Sequence, residues 1–189
     1  MTHLTPALSG GDPTVLWVLP TPGGLAECWA LDAYTRPPDG LTRAADLFTK
    51  AKYQHLGPPL MVLRRMFAER IVSIAAFRNW PSDIVVVPVA SSSELPLELA
   101  RAAAVALGVP LLQLFRPPAG PKLKNVPLAN RDAHAAARAA VDPRAVCPPN
   151  VVLIDDLVET GSTLSAAAHA LRQIGAERVA AMVIVQIHH

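Results

Sequence analysis

The chain has 189 residues, of which 51% are hydrophobic and 17% are charged, and its formal net charge at pH 7 is +2. This composition excludes a disordered chain, and 17 basic against 15 acidic residues exclude a strongly basic nucleic-acid binder. No apolar run is long enough to cross a bilayer and the N-terminal residues lack the pattern of a secretory signal, so we expect a cytoplasmic protein without a membrane partner.

The first 80 residues predict a small set of strands and helices with Pro- and Gly-rich breaks. These elements are a strand at 14–19, a hairpin partner for it at 28–34, a helix from about 42 to 55 and a second helix from 57 to about 77. We interpret residues 14–80 as a hood or added layer that packs on the rest of the chain.

From residue 83 onward, strands and helices alternate. The predicted strands lie at 84–89, 109–115, 151–154 and 178–187, and the helices between them at 95–107, 130–141 and 163–174. This order is typical of an α/β fold, in which helices flank a parallel sheet. Residues 83–189 are therefore the predicted core of what we expect to be one compact domain.

The segment 151–163 contains the residues best suited to chemistry. Its four apolar residues predict a buried strand, and Asp155 and Asp156 come directly after them. A short loop then leads into an amphipathic helix, and its residues are Thr160, Gly161, Ser162 and Thr163.

Ligands of open α/β sheets bind beyond the carboxyl ends of the strands, and a helix N-terminus attracts phosphate. Gly161 allows close approach of the backbone, and the hydroxyls of the loop can donate hydrogen bonds to phosphate oxygens. The two carboxylates accept hydrogen bonds and suit sugar hydroxyls or a hydrated Mg²⁺. A ribose 5-phosphate meets both requirements. The alternative is that the Asp pair only ends a strand and the loop only caps a helix, but all these parts in order within 13 residues favour the ligand site.

This segment resembles the PRPP-binding signature of type I phosphoribosyltransferases: four apolar residues, two acidic, two apolar, then Thr-Gly-x-Thr. The resemblance implies a Rossmann-like parallel sheet. It also implies that Asp155 and Asp156 hold the ribose hydroxyls of 5-phosphoribosyl 1-diphosphate (PRPP), and that residues 160–163 hold its 5-phosphate.

A weaker resemblance, to ComF-like phosphoribosyltransferases, rests on residues 47–53, on Val86-Val87-Pro88-Val89 and on Asn130-Arg131. The zinc-ribbon cysteines typical of that family are absent. Cys28 and Cys147 have no CxxC or metal-ligand spacing, and we interpret them as structural thiols. Lys52 ends the first helix; it either reaches the site, as in a ComF-like arrangement, or only complements the helix dipole.

Two loops and one carboxylate are further candidates from the family resemblance. The loop with Ala90, Ser91 and Ser92 would meet the diphosphate through backbone N–H groups, although it contains no Lys or Arg. Ser93 is favoured as an N-cap. Glu159 stands where purine phosphoribosyltransferases have an acid that assists proton transfer, and a solvated loop carboxylate is the equal alternative.

The long loop 116–129 is the remaining candidate. It would close over the reacting centre, and Lys122 or Lys124 would stabilise the departing pyrophosphate; a solvated basic loop is the alternative.

The resemblance implies an enzyme of nucleotide metabolism, such as purine salvage, that transfers the phosphoribosyl group of PRPP to a nitrogenous base, with Mg²⁺ bound mainly through PRPP. A homodimer is the default assembly. The alternative function is a PRPP-binding regulatory or competence-associated protein with weak turnover. Four aromatic residues are candidates to line the acceptor pocket: Trp17, Trp29, Tyr34 and Tyr53.

Overall fold

The structure is a computed structural model. It describes residues 16–17, 21–36, 40–54, 57–117 and 131–187. The described chain contains eight strands and five helices. The strands are β1 (Leu16–Trp17), β2 (Glu27–Ala33), β3 (Thr35–Arg36), β4 (Gly40–Leu41), β5 (Val85–Pro88), β6 (Asn150–Ile154), β7 (Leu157–Val158) and β8 (Arg178–Gln186). The helices are α1 (Arg43–Tyr53), α2 (Gly57–Phe77), α3 (Leu95–Leu107), α4 (Arg131–Arg138) and α5 (Ser162–Gln173).

The central sheet has the strand order β1-β2-β8-β6-β5, and short β7 also pairs with β8. All of its neighbouring pairs are parallel except β1 with β2. The predicted α/β fold with a parallel sheet flanked by helices is therefore confirmed, and it is the Rossmann-like arrangement expected of type I phosphoribosyltransferases.

Alternation along the strands divides the core into two halves. On one face, Val86 and Val152 pack with the buried residues of α1, α2 and α3. On the other face, Val87 and Leu153 pack against the apolar side of α5. The sheet is thus buried on both sides, which explains why its strands are nearly continuous apolar runs.

The prediction of a regular strand at 109–115 is wrong. Only isolated bridges occur there among the described residues, from Leu111 to Val86 and from Phe115 to Val141. Pro110 explains the interruption because it has no N–H to donate, and it contributes only its carbonyl, which accepts from Val86 N at 2.9 Å.

The N-terminal part contributes to the sheet as well as to a covering layer. As predicted, β2 is a hairpin partner of β1, but it also pairs in parallel with β8 from Glu27 to Ala33. The predicted boundary between a hood at 14–80 and a core at 83–189 stays a prediction, and the two parts share one sheet. No helix in the described part of the chain is long and apolar enough to span a membrane.

Candidate functional site

The adjacent carboxylates lie at the carboxyl end of β6, where Asp155 and Asp156 follow Ile154. Their backbone is fixed by β8, because Asp155 N donates to Met182 O at 3.2 Å and Ile184 N donates to Asp156 O at 3.3 Å. Both residues are buried, with 7% and 5% of their surface exposed. The local chain therefore places two acidic side chains in a partly dry environment at the edge where ligands of such sheets bind.

The two carboxylates differ in their partners. Asp155 Oδ1 accepts a hydrogen bond from Asp156 N at 2.8 Å, and Asp156 Oδ2 lies 2.6 Å from Lys52 Nζ. Burial, together with the charge of Asp156, raises the pKa of Asp155 well above its usual range, although the backbone hydrogen bond and Lys52 act in the opposite direction. Asp155 is therefore protonated more readily than an exposed aspartate, because burial and the neighbouring charge disfavour its charged form.

Lys52 reaches the site from the last turn of α1, so its position fits both predicted roles, contact with the site and complementing the helix dipole. Its ammonium lies 5.1 Å from the ring centroid of Phe48 and 5.8 Å from that of Tyr53. These rings favour a cation without fixing it through a directed hydrogen bond. The side chain retains 23% exposure, so the ion pair with Asp156 borders the cavity and is not sealed in the core.

The predicted phosphate loop opens α5. Ser162 N donates to Thr160 Oγ1 at 3.4 Å, and the hydroxyls of Thr160 and Ser162 are 3.1 Å apart. Gly161 has a φ of +80°, which favours glycine, and a Cβ there would lie 2.9 Å from Pro22 Cβ. From the sequence, Gly161 is predicted to let a ligand approach the backbone closely. The structure shows two further reasons for a glycine at this position: its left-handed backbone conformation and the closeness of Pro22.

The serine loop after β5 faces the same cavity. Val89 N donates to Ile154 O at 2.9 Å, so the start of the loop lies directly beside the carboxylate pair. Ser91 Oγ accepts from Ser93 N at 3.0 Å, and Ser93 Oγ accepts from Leu95 N at 3.2 Å. Ser93 thus supplies a capping hydrogen bond, as predicted, although Glu94 occupies the N-cap position of α3.

These elements enclose a cavity of about 730 Å³. The structure brings nearly all the predicted site residues to its wall: Ala90, Ser91, Ser92, Asp155, Asp156, Glu159, Thr160, Gly161, Ser162 and Thr163. Lys122 and Lys124 lie outside the described residues, so their predicted roles stay predictions. Glu159 is exposed at the rim, which fits an accessible acid as well as it fits a solvated loop carboxylate.

Three charged lining residues were not predicted as site residues from the sequence: Glu94, Glu98 and Arg138. Glu98 pairs with Arg64 at 3.2 Å and with Arg101 at 2.6 Å. Nothing in the local sequence separates these side chains from ordinary charged residues of helix surfaces. They belong to the site because the fold brings α3 and the end of α4 to the cavity.

The aromatic candidates for the acceptor pocket differ in whether they reach the cavity. Of the three whose side chains are described, Tyr53 lines the cavity and is 58% exposed. Trp29 is buried, and Tyr34 packs edge-to-face on Phe48 with ring centroids 6.4 Å apart. The Trp17 side chain lies outside the described part.

The two cysteines are free and buried. Burial raises the pKa of the Cys28 thiol to about 12 and that of Cys147 to about 11. Both thiols are therefore protonated at neutral pH and poor metal ligands, which agrees with a structural role.

The donor set of the cavity fits a hydrated Mg²⁺ better than a metal held by the protein alone. In the described ranges no group of three or more His, Cys, Asp or Glu side chains could hold a metal ion. Asp155 and Asp156 supply hard carboxylate oxygens, and Mg²⁺ commonly combines one or two such groups with waters and substrate phosphates.

Comparison with known proteins gives evidence that is independent of the geometry of the cavity. The family model described as the phosphoribosyl transferase domain matches residues 52–189. A 37-residue stretch is 57% identical to adenine phosphoribosyltransferase of Methylobacterium sp. (strain 4-46) and 51% identical to that of Methylorubrum extorquens (strain PA1). In both cases the match spans 20% of this chain and only 20% of the relative. Among solved structures, TT1426 from Thermus thermophilus is 22% identical, with a TM-score of 0.43 over 65% of this chain and 74% of that one.

Proposed function

The chain belongs to the type I phosphoribosyltransferase family, and from this premise we propose that it is a Mg²⁺-dependent enzyme that transfers the phosphoribosyl group of PRPP to a nitrogenous base. The observation that carries the proposal is the juxtaposition in one cavity of a buried carboxylate pair, a loop of hydroxyls at a helix N-terminus and a second loop of small residues. A diol, a 5-phosphate and a 1-diphosphate require these three surfaces.

Each surface receives one part of the substrate in this proposal. Asp155 and Asp156 accept hydrogen bonds from the ribose hydroxyls, and residues 160–163 hold the 5-phosphate at the start of α5. Residues 90–92 offer backbone N–H groups to the diphosphate. The ribose then lies between the two loops.

In the reaction, a ring nitrogen of the acceptor forms a bond to C1 of the ribose while the bond from C1 to the diphosphate oxygen breaks. The diphosphate leaves with the electron pair of that bond, and the acceptor loses a proton when its nitrogen would otherwise remain charged. Bound Mg²⁺ would neutralise charge on the diphosphate. The chain contributes orientation of the two reactants, and Glu159 on the cavity wall is the group that we propose receives the acceptor's proton.

A purine is the acceptor class that we propose, with adenine as the first base to test. The support is the short similarity to adenine phosphoribosyltransferases and the exposed ring of Tyr53 on the cavity wall. A planar base suits such a ring because offset stacking adds to apolar burial. A cytoplasmic location and a homodimer belong to the same proposal.

Calorimetric titration of PRPP with Mg²⁺ tests the site directly. We expect saturable binding by the wild type and a loss of at least about 100-fold in affinity in the variant Asp155→Asn/Asp156→Asn, because the hydrogen bonds removed are charge-assisted. Glu69→Gln is the matched control, since that carboxylate is exposed on α2 and pairs with Arg65 outside the cavity.

A screen of purine and pyrimidine bases for pyrophosphate release then separates the enzyme from the alternative. Release with a purine supports the transferase. Binding of PRPP without release of pyrophosphate in the presence of any of the bases favours the regulatory function. A folded wild type that binds no PRPP contradicts both.

A further inference from the structure

The charge around the cavity is unsuited to a polyanion. The charged side chains of its described wall are five carboxylates and two cations: Glu94, Glu98, Asp155, Asp156, Glu159, Lys52 and Arg138. Residues 90–92, which would face the diphosphate, contribute no cation. A ligand with several phosphate charges therefore depends on the few cations of this wall.

Lys52 is the cation in direct contact with the carboxylate pair. Its ammonium lies 2.6 Å from Asp156 Oδ2, on a carboxylate that the proposed function assigns to a ribose hydroxyl. The hydroxyl and the ammonium compete for the same acceptor. When the sugar takes this position, the contact between Lys52 and Asp156 must loosen or be shared.

We propose that Lys52 is a transferable cation that pairs with Asp156 in this structure and contacts the diphosphate of the substrate in the complex. This inference rests on the proposed function and adds the group that selects a 1-diphosphate over a simple sugar phosphate. A lysine suits this exchange because its ammonium has three donors on a flexible stem. The rings of Phe48 and Tyr53 stabilise the cation within about 6 Å without holding it in one position.

The test compares two ligands that differ only in the diphosphate. PRPP and ribose 5-phosphate, each with Mg²⁺, are titrated into the wild type, Lys52→Gln and Lys52→Arg. Glutamine keeps a donor for Asp156 but removes the charge. We expect Lys52→Gln to weaken PRPP binding by about 10–100-fold and to change ribose 5-phosphate binding by less than about 3-fold, because a charge-assisted bond to the diphosphate alone is lost. Lys52→Arg should restore most of the PRPP affinity.

Lys50→Gln is the matched control. Lys50 lies two positions earlier on α1 and pairs with Asp46 at 2.7 Å, away from the cavity. We expect wild-type affinity for both ligands in this variant, and thermal unfolding of each variant verifies that it is folded.

The outcomes separate the two proposals. If the wild type binds neither ligand, the proposed function fails. If the wild type binds PRPP but Lys52→Gln binds it equally well, or loses both ligands to the same extent, the inference on Lys52 is overturned while the proposed function stands. If Lys52→Gln does not fold, Lys52→Met, which also removes the charge, takes its place: a reduced preference for PRPP over ribose 5-phosphate supports the inference, and an unaltered preference contradicts it.

Discussion

Buried carboxylates occur at both ends of the parallel sheet, and their surroundings differ. Glu27 begins β2 at the amino end, where its side chain is 1% exposed. It accepts hydrogen bonds from two tryptophans and two arginines: Trp29 at 3.2 Å, Trp80 at 2.7 Å, Arg78 at 2.6 Å and Arg178 at 3.3 Å. Its charge is thus compensated by donors from three separate parts of the chain.

The pair at the carboxyl end has much weaker compensation. Asp155 accepts from one backbone N–H, and Asp156 pairs with one lysine. Burial with few donors is costly for a carboxylate, whereas burial among several donors is not. The partners of Glu27 indicate a structural role, while the Asp pair has fewer donors, as the proposed ligand site requires.

The largest expected effect is on stability, from removal of Glu27. We expect Glu27→Ala to lower the free energy of unfolding by about 3–5 kcal/mol, because Arg78 and the Trp80 indole lose their buried acceptor. Urea unfolding followed by circular dichroism measures this loss. Glu69→Ala, which removes an exposed carboxylate, should change stability by less than about 0.5 kcal/mol. Equal effects of the two substitutions would contradict a structural role for Glu27.

A second prediction concerns the loop 160–163 at the carboxyl end of the sheet. We expect Gly161→Ala to lower the free energy of unfolding by about 2–4 kcal/mol, because alanine is strained at φ +80° and its Cβ would lie 2.9 Å from Pro22 Cβ. Thermal and urea unfolding measure the cost. The same substitution should weaken ribose 5-phosphate binding, since the loop must shift away from Pro22.

Gly40→Ala separates the two causes. Gly40 also has φ +80°, but a Cβ there would have no neighbour within 4 Å. Its substitution should lower the free energy of unfolding by only about 1–2 kcal/mol, which is the part due to the strained backbone conformation. If Gly40→Ala is as costly as Gly161→Ala, the contact with Pro22 contributes nothing.

Sequence reasoning predicted the carboxyl end of the sheet far better than the amino end. The signature at 151–163 is continuous, so the strand, the Asp pair and the start of α5 follow from local patterns. Glu27 could not be singled out, because its partners Arg78 and Arg178 lie 51 and 151 residues away. Lys52 is an intermediate case: its helix was predicted, but its contact with Asp156 depends on how α1 packs on the sheet.

The smallest predicted effect is a gain in stability. Burial raises the pKa of Asp155, so the folded chain binds this proton more tightly than the unfolded chain does. The carboxyl therefore destabilises the fold at pH above its folded pKa, and this penalty is relieved as pH falls through that value. Asp155→Asn removes the penalty and still accepts from Asp156 N, so we expect a gain of about 1 kcal/mol at pH 8 that shrinks toward pH 5.

Asp142→Asn is the control for this pH dependence. Asp142 also accepts one backbone N–H, from Arg144 at 2.9 Å, but it is exposed. Unfolding of both variants at pH 5 and pH 8 should show a larger pH-dependent difference for Asp155→Asn, which removes a buried carboxyl, than for Asp142→Asn, which removes an exposed one. A loss of stability at pH 8 in Asp155→Asn would mean that the Asp pair is compensated as fully as Glu27. The contrast between the two ends of the sheet would then fail, because the buried carboxylates at both ends would stabilise the fold.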